Sequence, residues 1–186
     1  IYTLIKEVKF IVAVDACIDD SVYLFFESFN EFLKHNNYEE IKIYSIKNEY
    51  LKNDGIKAYE LKNQEDLMTK LKKEESFILC CDSASNSINI FQELQKYYDD
   101  NKIENKEIKL IKSEVNENEM DYSLNLDDHE KIIYSPKIVY GLDSVKKRNV
   151  YCLYNGSTID SFQMYQQINR CRNINNLFYY FNDKKE

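Results

Sequence analysis

The chain is poor in the residues that bend or loosen a backbone, with only three glycines and one proline in 186 residues. That composition excludes collagen-like and Gly/Pro-rich disordered chains. No Gly-x-x-x-x-Gly-Lys-Ser/Thr occurs, so the backbone nest and lysine that cradle β- and γ-phosphates are missing. No Gly-x-Gly-x-x-Gly occurs either, which argues against a dinucleotide fingerprint. A nucleophile elbow and a Ser-His-Asp arrangement are also absent. The five cysteines (Cys17, Cys80, Cys81, Cys152 and Cys171) contain no Cys-x-x-Cys, and His35 and His129 lie far from them in sequence. Zinc spacing is therefore missing, and no metal site is expected. No apolar run approaches the roughly 18 residues that cross a bilayer. No signal-peptide pattern opens the chain. The expectation is a soluble protein without a membrane partner.

What is present is ordinary for one globular domain. Apolar residues make up 44% and the net charge is −7. The acidic balance argues against a general nucleic-acid footprint, although local charge can still build a basic groove. An odd cysteine count without a framework fits a reducing, intracellular compartment. Cys80 and Cys152 sit in apolar runs and read as small buried hydrophobes. The chain begins with Ile1, which reads as a piece of a longer protein. Residues 114–128 are nearly all Glu, Asp and Asn and read as a solvated loop.

Periodicity sets the element order. Phe10-Ile11-Val12-Ala13-Val14 is a continuous apolar run ending at Asp15, as in a buried strand. Asp19-Asp20 offers a cap for a helix whose Val22, Phe25, Phe26, Phe29, Phe32 and Leu33 share one face. Residues 41–46 alternate as a strand, and Asn53-Asp54-Gly55 marks a turn. The stretch to Glu60 is a linker or a short edge strand. Helices are then expected over 66–73, 85–98 and 158–172. Strands are expected over 77–81, 108–111, 131–134, 150–154 and 177–181. Strands separated by helical stretches require crossovers, hence a three-layer α/β domain with a mainly parallel sheet. Residues 1–60 form a strand-helix-strand segment, and 61–186 form the main domain.

Two segments carry the chemistry: Ser135-Pro136-Lys137-Ile138-Val139-Tyr140-Gly141-Leu142-Asp143 and Gln166-Gln167-Ile168-Asn169-Arg170-Cys171-Arg172. The single proline and one of the three glycines fall in the first, at the end of an expected strand, where open α/β sheets carry their ligand loops. Gly141 permits a backbone conformation closed to other residues. Gln166 and Arg170, four apart, align if the helix extends that far. Asp82-Ser83-Ala84-Ser85 follows a strand and opens a helix, which suits either a phosphate or a simple cap. The plainer readings are surface arginines on an amphipathic helix and a turn between two strands.

The order strand, Ser, Gly-Leu-Asp, strand, then Gln-x-x-x-Arg-x-Arg resembles motifs V and VI of superfamily 2 helicases. Within that superfamily it is closest to the helicases of herpesvirus-type replication origin-binding proteins and their relatives in large DNA viruses. The resemblance covers roughly residues 76–181. It implies the second RecA-like (P-loop NTPase-type) lobe of an ATP-dependent DNA helicase acting in viral replication. It is fainter over residues 10–20, where Asp15-Ala16 resembles the region of motif III at the end of the first lobe.

By this resemblance Arg170 and Arg172 are arginine fingers for a phosphate held by the other lobe. Gly141, Asp143 and Gln166 lie at the nucleotide, with Asp143 orienting the arginines or meeting a ribose hydroxyl. Ser83 and Ser85 match motif IV and, with Ser135 and Lys137, grip the nucleic-acid backbone through hydroxyls and backbone N–H groups. The implied cofactors are ATP and Mg2+, held mainly by the first lobe. The implied partners are single- or double-stranded DNA, that first lobe, and replication proteins. Two departures stand out. Ser replaces the usual Thr, and a single residue, Cys171, separates the arginines where many members have two. The alternative is a catalytically degenerate lobe that binds nucleic acid or a partner without turnover. Alone, the chain is expected to lack ATPase activity.

Overall fold

The computed structural model describes residues 20–44, 55–104, 107–111, 124–135, 142–156 and 158–182. The chain divides into two units, Ile1–Tyr50 and Leu51–Glu186. In the first unit, helix α1 (Asp20–His35) forms over the expected apolar stripe. Phe29 and Leu33 are its buried positions, and Phe29 stacks with Phe32 one turn away. Asn37 adopts φ 56°, and the Tyr38 N–H donates to the Leu33 carbonyl at 2.9 Å. This left-handed cap ends the helix. Residues 41–44 were expected to begin a strand but form no regular element. Ile41 is instead held by the Asn30 side chain, which accepts from its N–H at 2.9 Å and donates to its carbonyl at 3.1 Å. The strand expected at 10–14 and the motif III-like Asp15 lie outside the described residues.

The second unit is built on β1 (Lys57–Glu60), α2 (Gln64–Leu71), β2 (Phe77–Cys81), α3 (Ala84–Asp100), β3 (Ile108–Ile111), β4 (Lys131–Tyr134), β5 (Arg148–Tyr154), α4 (Ser161–Ile168) and β6 (Ile174–Phe181). The six strands form one sheet in the order β1-β6-β5-β2-β4-β3, and every pairing is parallel. β1 is the edge strand that the sequence left open against a linker. Its pairing with β6 places it in this sheet.

Alternating side chains sort the helices onto two faces. Leu79, Cys81, Ile133, Tyr151 and Leu153 pack with Leu67, Met68 and Leu71 of α2 and with Ile90, Leu94 and Tyr98 of α3. Ile78, Cys80, Ile132, Tyr134, Val150, Cys152 and Tyr154 face the other way, toward Met164 and Ile168 of α4. This is the three-layer α/β architecture of RecA-like domains. All five residues of β2 are buried, the signature of a central parallel strand covered on both faces. Burying each of its larger side chains contributes about 1.5–3 kcal/mol.

Two boundaries differ from the sequence expectation in ways that affect the site. Asp160 and Gln163 form a reciprocal capping box that starts α4 at Ser161, and the helix ends at Ile168, short of Arg170. The end of the acidic run is ordered, with Asn125 and Asp128 exposed and Asp127 partly buried. Residues Leu126–Asp128 form a 3-10 turn, with Leu126 fully buried. None of the described helices is long and apolar enough to cross a membrane.

Candidate functional site

The candidate residues separate to opposite ends of the parallel strands. Ser83, Ser85 and Ser135 follow β2 and β4, at the carboxyl edge. Asp143, Arg170 and Arg172 precede β5 and β6, at the amino edge.

At the amino edge, Ser144 is the hub. Its N–H donates to the Arg170 carbonyl at 2.8 Å, and its carbonyl accepts from the Arg172 N–H at 2.7 Å. This pairs it with Cys171 as an isolated parallel bridge. The bridge brings Asp143 beside the arginine segment. Arg170 Nη1 donates to Asp143 Oδ1 at 3.2 Å, and Arg172 Nη2 donates to Asp143 Oδ2 at 2.6 Å. One carboxylate therefore orients two guanidinium groups. The Arg170 side chain is 15% exposed and that of Arg172 is 41%, so Arg172 is the more accessible. Partly exposed pairs of this kind contribute at most about 1 kcal/mol each to stability. Their geometry matters more than their energy.

Asp127 fixes the other side of the same loop. It accepts from Ser144 Oγ at 2.5 Å, Val145 N at 3.0 Å and Lys146 N at 3.3 Å. Arg148, whose side chain is 0% exposed, adds a contact to Asp127 at 3.4 Å and donates to the Leu126 and Glu130 carbonyls. Partial burial pushes the Asp127 carboxyl up. The Ser144 hydroxyl, the two backbone N–H groups and the Arg148 cation outweigh that and hold it below the usual carboxylate range. Sequence reasoning missed both residues. Asp127 was hidden in an acidic run, and Arg148 looked like one more charge beside Lys146 and Lys147.

Gln166 does not join the arginines. It lies half-buried in the last turn of α4, and the four-residue alignment with Arg170 fails because the helix ends at Ile168. Its neighbour Gln167 is the fully buried one. Gln167 Nε2 donates to the Cys81 carbonyl at 3.3 Å, and its Oε1 accepts from the Tyr154 hydroxyl at 3.3 Å. Gly141 and Lys137 lie outside the described residues.

At the carboxyl edge, Ser83 is the N-cap of α3, its Oγ accepting from the Asn86 N–H at 3.4 Å and lying 2.6 Å from Ser85 Oγ. The cap reading thus holds for Ser83. Ser135 is only 1% exposed. Its N–H is not free for a phosphate, because it donates to the Ile111 carbonyl at 3.0 Å. Its hydroxyl has no partner among the described residues. Asp82, fully buried, accepts from the Asn155 and Gly156 N–H groups at 2.7 and 2.8 Å. It ties the loop after β5 to the end of β2. The α3 and α4 helices leave these adjacent strands toward opposite faces, so this edge holds the sheet's topological switch point.

Among the described residues no group of three or more His, Cys, Asp or Glu side chains could hold a metal ion. The four described cysteines are free and buried. Comparison with known proteins returns no match to a family model, a curated protein or a solved structure.

Proposed function

We propose that the chain is the second motor lobe of an ATP-dependent DNA helicase acting in DNA replication. The observation that carries this reading is the joining of Asp143, Arg170 and Arg172 across β5. Two guanidinium groups held on one carboxylate at a sheet edge suit a phosphate presented by a second lobe. Bound ATP with its Mg2+ would supply the phosphoryl group and the metal charge, while these arginines would stabilise charge developing on that phosphate. Asp143 orients them, and Arg172, the more exposed, is the better placed to reach out.

The carboxyl edge supports a separate role. The α3 N-terminus with Ser83 and Ser85 suits a nucleic-acid phosphate. Keeping the two tasks on opposite edges lets one lobe meet nucleotide and DNA together. The test is ATP turnover by a two-lobe protein carrying this lobe, with Arg172→Ala and Arg170→Ala compared with the unaltered protein. Loss of turnover with retained nucleotide binding supports the motor reading. Unchanged turnover reduces the arginine pair to a structural contact, and no turnover in the unaltered protein favours a lobe that binds without hydrolysis.

A further inference from the structure

We propose that Tyr134 is a positioning residue for the arginine turn, acting through the backbone carbonyl of Gln167. The value of those arginines as an anion site rests on the function proposed above, but their positioning does not. Tyr134 ends β4 and is fully buried. Its hydroxyl donates to the Gln167 carbonyl at 2.6 Å. The same carbonyl accepts from the Arg170 N–H at 3.1 Å, so a single oxygen joins the core tyrosine to the arginine backbone. From the other side, Cys80 Sγ donates to the Tyr134 hydroxyl at 3.2 Å. A line of hydrogen bonds thus runs from β2 through β4 to Arg170.

The Ser144–Cys171 bridge holds the far side of this turn, and Tyr134 adds a directional contact on its helix side. α4 has only eight residues, and Gln167 is its one fully buried side chain. Apolar packing by Met164 and Ile168 is non-directional and would tolerate rotation of the last turn. Directional hydrogen bonds in a low-dielectric interior do not. Gln167 is held by its side chain to Cys81 and Tyr154 and by its carbonyl to Tyr134, which sets both the rotation and the height of the helix end. Arg170 follows three residues later and inherits that placement, and Arg172 lies two residues beyond it. Burial pushes the Tyr134 phenol well above its ordinary range, so the hydroxyl keeps the proton it donates.

The experiment uses the 186-residue chain labelled with 15N-arginine. Guanidinium signals are assigned with Arg170→Lys and Arg172→Lys, and tripolyphosphate serves as the anion probe. Tyr134→Phe removes one hydroxyl and keeps the ring. It is expected to move the Arg170 and Arg172 signals toward those of exposed arginines and to weaken tripolyphosphate binding by about fivefold, the value of one neutral hydrogen bond. Tyr151→Phe is the control, because its hydroxyl donates to Glu74 at 2.6 Å, away from the turn. It is expected to lower the melting temperature comparably without moving the arginine signals. Gln167→Leu should act like Tyr134→Phe and more strongly; if it does not fold, Tyr134→Phe decides. Arginine signals that ignore Tyr134→Phe, or that move equally with Tyr151→Phe, overturn the proposal. Signals that shift in Tyr134→Phe but never respond to tripolyphosphate leave the positioning role standing and remove the anion site.

Discussion

Arg172 Nη2 donates to Asp143 Oδ2 at 2.6 Å across a sequence separation of 29 residues. Strand β5 lies between the two in the chain, and the Ser144–Cys171 bridge closes the gap. The relationship gives Asp143 and the arginine pair one location, where a catalytic effect can be tested.

In a two-lobe protein, Arg172→Ala or Arg170→Ala is expected to lower ATP turnover roughly 10³-fold, about 4 kcal/mol of transition-state stabilisation. Nucleotide affinity should fall far less, because a finger acts mainly on charge that develops during transfer. Lysine should rescue poorly, since a point charge does not reproduce the guanidinium fork. Turnover and nucleotide affinity measured on each folded variant decide the matter. Near-normal turnover in both would reduce the pair to a structural contact.

Single-stranded DNA binding to this chain should be weak, independent of sequence and steeply salt-dependent. The slope of log affinity against log salt is expected near −0.7 for each phosphate contacted. Ser83→Ala with Ser85→Ala should lower affinity and leave that slope nearly unchanged, because neither hydroxyl carries charge. Ser135→Ala should do less, because that residue is only 1% exposed. Titrations of a labelled strand at several salt concentrations test this, and a flat salt response would exclude backbone contacts.

Asp127→Ala should destabilise the second unit by about 3 kcal/mol, measured by denaturant unfolding. It leaves the buried Arg148 cation without its carboxylate, and breaking a buried pair is far more costly than replacing it. The pH dependence has a definite sign. The carboxyls of Asp127 and Glu130 are both held below their ordinary values of 3.8 and 4.5 in the fold. Their contribution is complete above those values and is lost as pH falls through the lower folded values. Unfolding midpoints should therefore drop below about pH 4, and Asp127→Ala should blunt that drop. A midpoint that rises on acidification contradicts the assignment.

Gly156→Ala is expected to lose about 1–2 kcal/mol. Gly156 sits at φ 68°, and a Cβ there would lie 2.8 Å from Phe181 Cζ. Adding Phe181→Ala should relieve the contact but not the backbone penalty, which leaves about 1 kcal/mol. Thermal melts of the single and double variants separate the two terms. Full recovery in the double variant would show that the left-handed conformation carries no cost.

Local pattern was enough for the α/β class, the helix stripe of α1, and the central strands β2 and β5. Continuous apolar runs such as Phe77-Ile78-Leu79-Cys80-Cys81 are buried on both faces, and period alone reports that. The capping box at Asp160 and Gln163 involves residues only three apart, yet the sequence pattern starts that helix at residue 158 and misses it. Strand order was not legible, because parallel neighbours come from distant parts of the chain and their pairing depends on which faces the crossing helices cover. The site divides in the same way. The residue types in Asp143, Arg170 and Arg172 are plain in the sequence. Their meeting depends on the Ser144–Cys171 bridge, and their support depends on Asp127, Arg148, Tyr134 and Gln167, each unremarkable in its local context. A one-residue choice, Gln167 rather than Gln166 turned inward, was decided by where a short helix stops and which strand ends it meets. Chain-local chemistry determines the elements and names the reactive groups. Only packing brings groups that are distant in sequence to hydrogen-bonding distance.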